Sequence, residues 1–260
     1  MPDIKPQVYR DSRPPEYFDR FHERSRTHEP DWVYDLARVV LTPPCLLLYR
    51  ARAIGAENVP RTGPVVLAPN HFSQWDHFFA GVFIRRKVRF MAKSQLFSNP
   101  VIKWIFFHGG AFPVRRGHQD EEAFTTAFTI LERGGCMLMY PEGGRSRTGG
   151  IGEPRPGVGR IALQSGVPVV PVAIHGSMGV RRWRKFSFPK VTIRYGEPMV
   201  FDVVPEPTRE QQIEVATGIF ERVREMYDGL EAHGRSGVIK ALREGIEDRT
   251  ERKLPAEQHR

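Results

Sequence analysis

The chain has 260 residues, with 39 Lys and Arg against 30 Asp and Glu, a net charge of +9. That length can bury a substantial core and fits one domain with extensions, and the positive balance suits anionic partners. Two cysteines in apolar runs, Cys45 and Cys136, exclude a disulfide framework or a zinc site and read as buried thiols of a reducing compartment, and no run approaches the roughly 18 apolar residues of a spanning helix.

Residues 1–30 are polar and marked by Pro2, Pro6, Pro14 and Pro15, which predicts a flexible or loosely docked extension. The charges at Asp3, Lys5, Arg10, Asp11 and Arg13 argue against a secretory signal. They favour a cytoplasmic protein that meets the inner face of the membrane from its surface. The apolar stretch 39–48 is interrupted by Pro43-Pro44, too short to span, and suited to an interfacial hairpin or to docking on the core.

The body then alternates. Strands are expected at 64–68, 88–92, 111–114, 136–140, 168–174 and 190–195. Helices are expected at 76–86, 95–107, 119–133, 157–165 and 208–228. In 119–133, Ala123, Phe124, Ala127, Phe128 and Leu131 form one apolar stripe, stopped by Gly134-Gly135. This order predicts an α/β fold, a layered mixed and largely parallel sheet flanked by helices, with an N-terminal membrane-surface extension. The divisions are 1–49 (extension and apolar segment), 50–228 (main domain) and 229–260 (a charged tail, helical in part and mobile at its end). Two clusters, Leu96 to Phe107 and Phe78 to Ile84, are either lipid-facing or core. The basic run Arg181-Arg182-Trp183-Arg184-Lys185 is either an anion-binding patch or a solvated loop with one packed Trp.

Two of the expected strands discharge polar, loop-prone residues. After Val65-Val66-Leu67-Ala68 comes Asn70-His71-Phe72-Ser73-Gln74-Trp75-Asp76, and after Met137-Leu138-Met139-Tyr140 comes Pro141-Glu142-Gly143-Gly144-Arg145-Ser146. A neutral imidazole can take a proton from an alcohol, and a carboxylate on its other nitrogen fixes the tautomer. Five residues along a regular helix put His71 and Asp76 on different faces. They meet if His71 lies in a strand-to-helix turn and Asp76 in the first helical turn, where its charge also suits the helix dipole. The plainer alternative makes Asn70 or Ser73 a helix cap and His71 a half-buried polar residue. No serine elbow is visible, since His175-Gly176-Ser177-Met178-Gly179 begins with His where that motif needs Gly. A substrate hydroxyl can therefore be the nucleophile. A metal site from His71, Asp76 and His77 is disfavoured because neighbouring helix side chains diverge.

Four blocks in order resemble the 1-acylglycerol-3-phosphate O-acyltransferase family of glycerolipid acyltransferases: Asn70-His71 to Asp76, Gly110-Ala111-Phe112-Pro113-Val114-Arg115-Arg116, Tyr140 to Ser146, and Val167-Pro168-Val169-Val170-Pro171-Val172. The similarity covers about residues 50 to 205. Departures are Tyr140 where Phe is common, Gly144 where Thr is frequent, and Arg115 where an acidic residue is frequent. They fall in the blocks that shape the acceptor site. The resemblance implies that His71 is the general base and Asp76 its orienting partner. Arg116 would bind the acceptor phosphate, with Lys93, Gly110, Glu142, Gly143 and Arg145 shaping the pocket. It implies a lysophospholipid acceptor and an acyl-CoA or acyl carrier protein donor, with no cofactor or metal required. A membrane surface is expected from the charge and the missing span, and no nucleic acid is expected because nothing resembles a helix-turn-helix, an RRM or a zinc finger; the alternative of another class is a basic nucleic-acid- or membrane-binding protein without catalysis. Other acceptors, including glycerol 3-phosphate, stay open. The plainer readings are a solvated Arg116 and Arg145, a strand end at Pro141 and Gly143, and Glu142 paired with Arg145 or Arg147.

Overall fold

The computed structural model describes residues 11–116, 120–146, 150–180 and 188–251, with side chains to residue 245. Seven strands form one sheet: β1 (Arg52–Ile54), β2 (Val65–Pro69), β3 (Val88–Lys93), β4 (Ala111–Val114), β5 (Cys136–Leu138), β6 (Val169–His175) and β7 (Thr192–Tyr195). Their order is β1-β7-β6-β2-β5-β3-β4. The five strands from β6 to β4 run parallel, β7 is antiparallel to β6, and β1 is parallel to β7. The sheet is mixed and largely parallel, with helices on both faces.

Alternation along β2 explains the layering. Val65 and Leu67 join Val88, Leu138, Val172 and Ile193 under α3 (Asp76–Val82) and the end of α2 (Trp32–Leu47). Val66 and Ala68 face the other way, onto α5 (Glu121–Glu132), α6 (Gly157–Ser165) and α7 (Arg209–Glu251). A strand buried on both faces reads as a continuous apolar run, as this one does. In α5 the expected stripe is inward, with Asp120 capping Ala123 N–H and Gly134, at φ 77°, closing the end. Cys45 and Cys136 are buried free thiols.

The described part of the N-terminal segment corrects the expectation of looseness. A 3-10 turn (Pro15–Phe18) leads into α1 (Asp19–Thr27), whose Phe18 and Phe21 are fully buried against Phe97. His22 Nδ1 meets Thr126 Oγ1 of α5 at 2.9 Å. Polar composition concealed this because three aromatic and imidazole side chains, spaced along one helical face, do the docking. Nor does Pro43-Pro44 break the apolar segment: α2 runs through it. The carbonyls deprived of intrahelical donors are those of Val39 and Val40, which lie on the exposed side. Residues 95–107 are not one helix. A 3-10 turn (Ser94–Ser98) precedes α4 (Pro100–Gly109), because Pro100 disfavours helical geometry at Asn99 and suits N1. Asn99 Oδ1 then caps Val101 and Ile102. The helix from 76 ends at Val82 rather than 86. The short edge strand β1 carried no alternation signal, and α7 extends well past 228 with a break at Gly234 (φ 62°). The run 181–185 lies outside the described residues.

Candidate active site

The C-terminal ends of β2 and β5, paired in parallel from Val65 with Cys136, bring the two polar segments together. His71 sits in the turn after β2 and Asp76 is the first residue of α3. The turn closes on the carboxylate: Asp76 Oδ2 accepts from His71 Nδ1 at 2.9 Å and from Phe72 and Ser73 N–H at 2.6 Å. The proton therefore sits on Nδ1, leaving Nε2 as the basic nitrogen. Burial lowers the His71 pKa most; Asp76 opposes this, and Arg145 and Arg116 add to it. The imidazole is thus held neutral below the ordinary histidine range.

The backbone of His71 is fixed from the other segment. Its N–H donates to Glu142 Oε1 at 2.8 Å, and its carbonyl accepts from Ser146 N–H at 2.8 Å. Glu142 Oε2 accepts from Gly152 N–H at 2.9 Å. Burial raises the Glu142 pKa, against these two backbone donors. Among the described residues Glu142 therefore spends its oxygens on main-chain donors rather than on Arg145, and Arg147, the other expected partner, lies outside the described residues. Asn70 acts similarly toward β6, donating to Ile174 O and accepting from Ile174 N–H.

His71 opens into a cavity of about 440 Å³. Lys93, Arg116 and Arg145 share its wall with His71, while Leu41, Val82, Phe90 and Ile105 are among its apolar lining. Burial, then Arg145 and Arg116, lower the Lys93 pKa, so the three cations lie close enough to repel. A phosphomonoester would relieve that repulsion. The other expected residues lie off the lining. Gly143 (φ 65°) makes the tight turn after Tyr140, where a Cβ would fall 2.6 Å from Arg155 Cδ. Gly110 (φ 83°) caps α4 and packs under Pro30, so its place is structural.

Sequence reasoning missed two parts. The inner face of α2, with Tyr34, Arg38, Leu41 and Cys45, forms a wall of the cavity, and its helical spacing was the available signal. The second is a pair of buried polar rings. Tyr140 stacks on His71, and its hydroxyl lies 3.0 Å from His77 Nδ1. His77 and Asp76 do diverge: Asp76 faces His71, whereas His77 faces Tyr140. Burial drives the His77 pKa down to about 4 and raises that of Tyr140 well above its ordinary value, so both are neutral. A histidine and a tyrosine inside apolar segments each need a partner, which was the clue.

A family model for an acyltransferase domain matches residues 50–175. A chloroplastic 1-acyl-sn-glycerol-3-phosphate acyltransferase of Brassica napus is 30% identical over 132 residues, 50% of this chain and 38% of that one. The chain therefore spans well under half the length of that relative. The 1-acyl-sn-glycerol-3-phosphate acyltransferase of Bacillus subtilis (strain 168) is 28% identical over 178 residues, 67% of this chain and 87% of that one. The crystal structure of the 1-acyl-sn-glycerophosphate (LPA) acyltransferase PlsC from Thermotoga maritima shares the fold, with a TM-score of 0.56 and 22% identity over 84% of this chain and 90% of that one. The four ordered blocks, the matching domain model and these relatives agree: residues 50–175 are similar to the acyltransferase domain of the glycerolipid acyltransferases, the 1-acyl-sn-glycerol-3-phosphate acyltransferases among them.

Proposed function

We propose that this protein transfers an acyl group from a thioester to the free hydroxyl of 1-acylglycerol 3-phosphate, giving phosphatidic acid for phospholipid synthesis. The observation that carries this reading is the His71–Asp76 pair opening into an apolar cavity whose wall also holds Lys93, Arg116 and Arg145. That one space offers a base for a hydroxyl, cations for a phosphate and an apolar trough for a chain.

In the reaction, His71 Nε2 takes the acceptor's hydroxyl proton as its oxygen bonds to the thioester carbonyl carbon. The tetrahedral oxyanion collapses, the carbon–sulfur bond breaks, and the imidazolium returns the proton to the thiolate. Asp76 holds the imidazolium upright throughout. Acyl-CoA and acyl carrier protein both supply such a thioester.

A membrane surface is the proposed source of the acceptor. No helix among the described residues is long and apolar enough to cross a membrane. Yet α2 and α4 expose Trp32, Leu36, Val39, Leu47, Val101 and Trp104 beside the cavity, and the rings of Trp32 and Trp104 lie 6.2 Å apart. An amphipathic surface of this kind lies in the bilayer interface. In 95–107, Phe97 is core while α4 is partly exposed, which supports placing α4 rather than Phe97 at that interface.

Thiol release from a long-chain acyl-CoA, with and without lysophosphatidic acid, tests the reading. Wild type should release thiol only with acceptor and form phosphatidic acid, and His71→Ala should lose at least about 10³-fold while staying folded. Full activity in that variant, or no acceptor dependence across a donor panel, counts against it.

A further inference from the structure

Four cations meet at the edge of the sheet away from β4. Arg50 and Arg52 lie at the start of β1, Lys190 precedes β7, and Arg235 follows the break in α7. With Leu46 and Ser236 they line a surface pocket that has no carboxylate among its described lining. Among the described residues, the side-chain bonds of Arg50 and Arg235 go to neutral acceptors. Arg235 Nε donates to Thr192 Oγ1 at 3.0 Å, and its Nη2 donates to Arg50 O at 3.0 Å and Val191 O at 2.8 Å. Arg50 donates to Phe188 O.

These bonds fix the guanidinium of Arg235 among like charges. Its pKa is held down by burial and then by Arg52 and Arg50, so the cluster is close-set. Such a group is unfavourable empty and favourable around an anion. Guanidinium forks match phosphate oxygens, and the first turn of the helix that restarts at Arg235 adds the positive end of a dipole.

Position narrows the source of the anion. Arg52 pairs with Thr192, and Thr192 pairs with His175 at the C-terminal end of β6. The pocket thus shares a rim of the sheet with His71, three strands away from β2, roughly 15 Å at ordinary strand spacing. Exposed Leu46, Leu47 and Leu48, at the end of the helix that walls the acyl cavity, lie beside it. Apolar side chains next to a phosphate-sized cationic pocket match the boundary of a bilayer.

We propose that Arg50, Arg52, Lys190 and Arg235 bind the phosphate of an anionic lipid headgroup at a site separate from the acceptor phosphate. The site goes beyond acyl transfer: it sets how the molecule sits on the surface.

The test uses the full chain and vesicles of phosphatidylcholine alone or doped with phosphatidylglycerol. Arg52→Gln with Lys190→Gln changes two exposed side chains. Arg61→Gln with Arg85→Gln removes equal charge from exposed positions at the opposite end of the sheet. The first variant should bind phosphatidylglycerol vesicles roughly tenfold or more weakly than wild type. The second should match wild type, and all three should bind phosphatidylcholine alike. Equal binding of both variants to phosphatidylglycerol vesicles, including none by any protein, overturns the site, and an equal loss in both reduces it to net charge. Inorganic phosphate without vesicles separates the sources: stabilisation of wild type but not of the first variant, with no phosphatidylglycerol preference, assigns a soluble phosphate and overturns the headgroup. Because vesicle binding needs no turnover, failure here leaves the acyl-transfer reading standing.

Discussion

The ring of Tyr140 lies face-on against the imidazole of His71, with 3.7 Å between centroids and 17° between planes. The imidazole is thereby held on two sides, at its edge by Asp76 and on its face by Tyr140. Tyr140 in turn is anchored by its hydroxyl, which can donate to His77 Nδ1. Tyr140→Phe keeps the platform and frees it to slide. We expect kcat to fall by roughly three- to tenfold with KM little changed, about 1 kcal/mol of positioning. Tyr140→Leu removes the platform and should cost about a further tenfold. Steady-state kinetics on both variants checks this, and Phe behaving like Leu would deny the stack its role.

Arg145 and Arg116 depress the pKa of His71 in addition to burial. Removing a nearby cation makes protonation easier, so Arg145→Gln should raise that pKa. The acidic limb of the pH profile of kcat/KM should then move to higher pH, and the acceptor KM should rise about tenfold or more. An unmoved limb with a raised KM would leave Arg145 a phosphate contact only.

The buried imidazole of His77 links stability to pH. Its folded pKa is depressed by burial to about 4 from the ordinary histidine value of 6.5. Between those values the unfolded chain binds the extra proton and the fold does not, so stability is full above pH 6.5 and declines as pH falls toward 4. The loss from this residue is on the order of 3 kcal/mol. His22 and His71 are depressed in the same direction and add to it. Denaturant unfolding at pH 7 and pH 4.5 should show wild type losing more than His77→Gln, whose side chain cannot titrate; equal losses would remove His77 from the account.

The alternation of apolar runs was enough to read β2 to β7 and the helices from 121 and 157, because those elements bury whole faces. It failed where neighbours decide the outcome. The end of α4 depends on Gly110 passing under Pro30, and α1 is held by Phe18, Phe21 and His22 reaching partners about 75 to 105 residues away. At the site, the turn that lets His71 meet Asp76 follows from simple helix geometry and is present. Glu142 was expected beside a ligand and instead holds the main chain of His71, a choice no local pattern expresses.

The hydrogen bonds from His71 N–H to Glu142 and from Ser146 to His71 O span more than seventy residues of chain. A nascent chain ending before residue 142 has the base and its carboxylate in sequence but nothing to hold their turn. Long-range parallel pairing forms late in folding. Competence is therefore timed: the proton acceptor is aimed only once β5 has docked beside β2, so a half-made molecule does not carry the finished site.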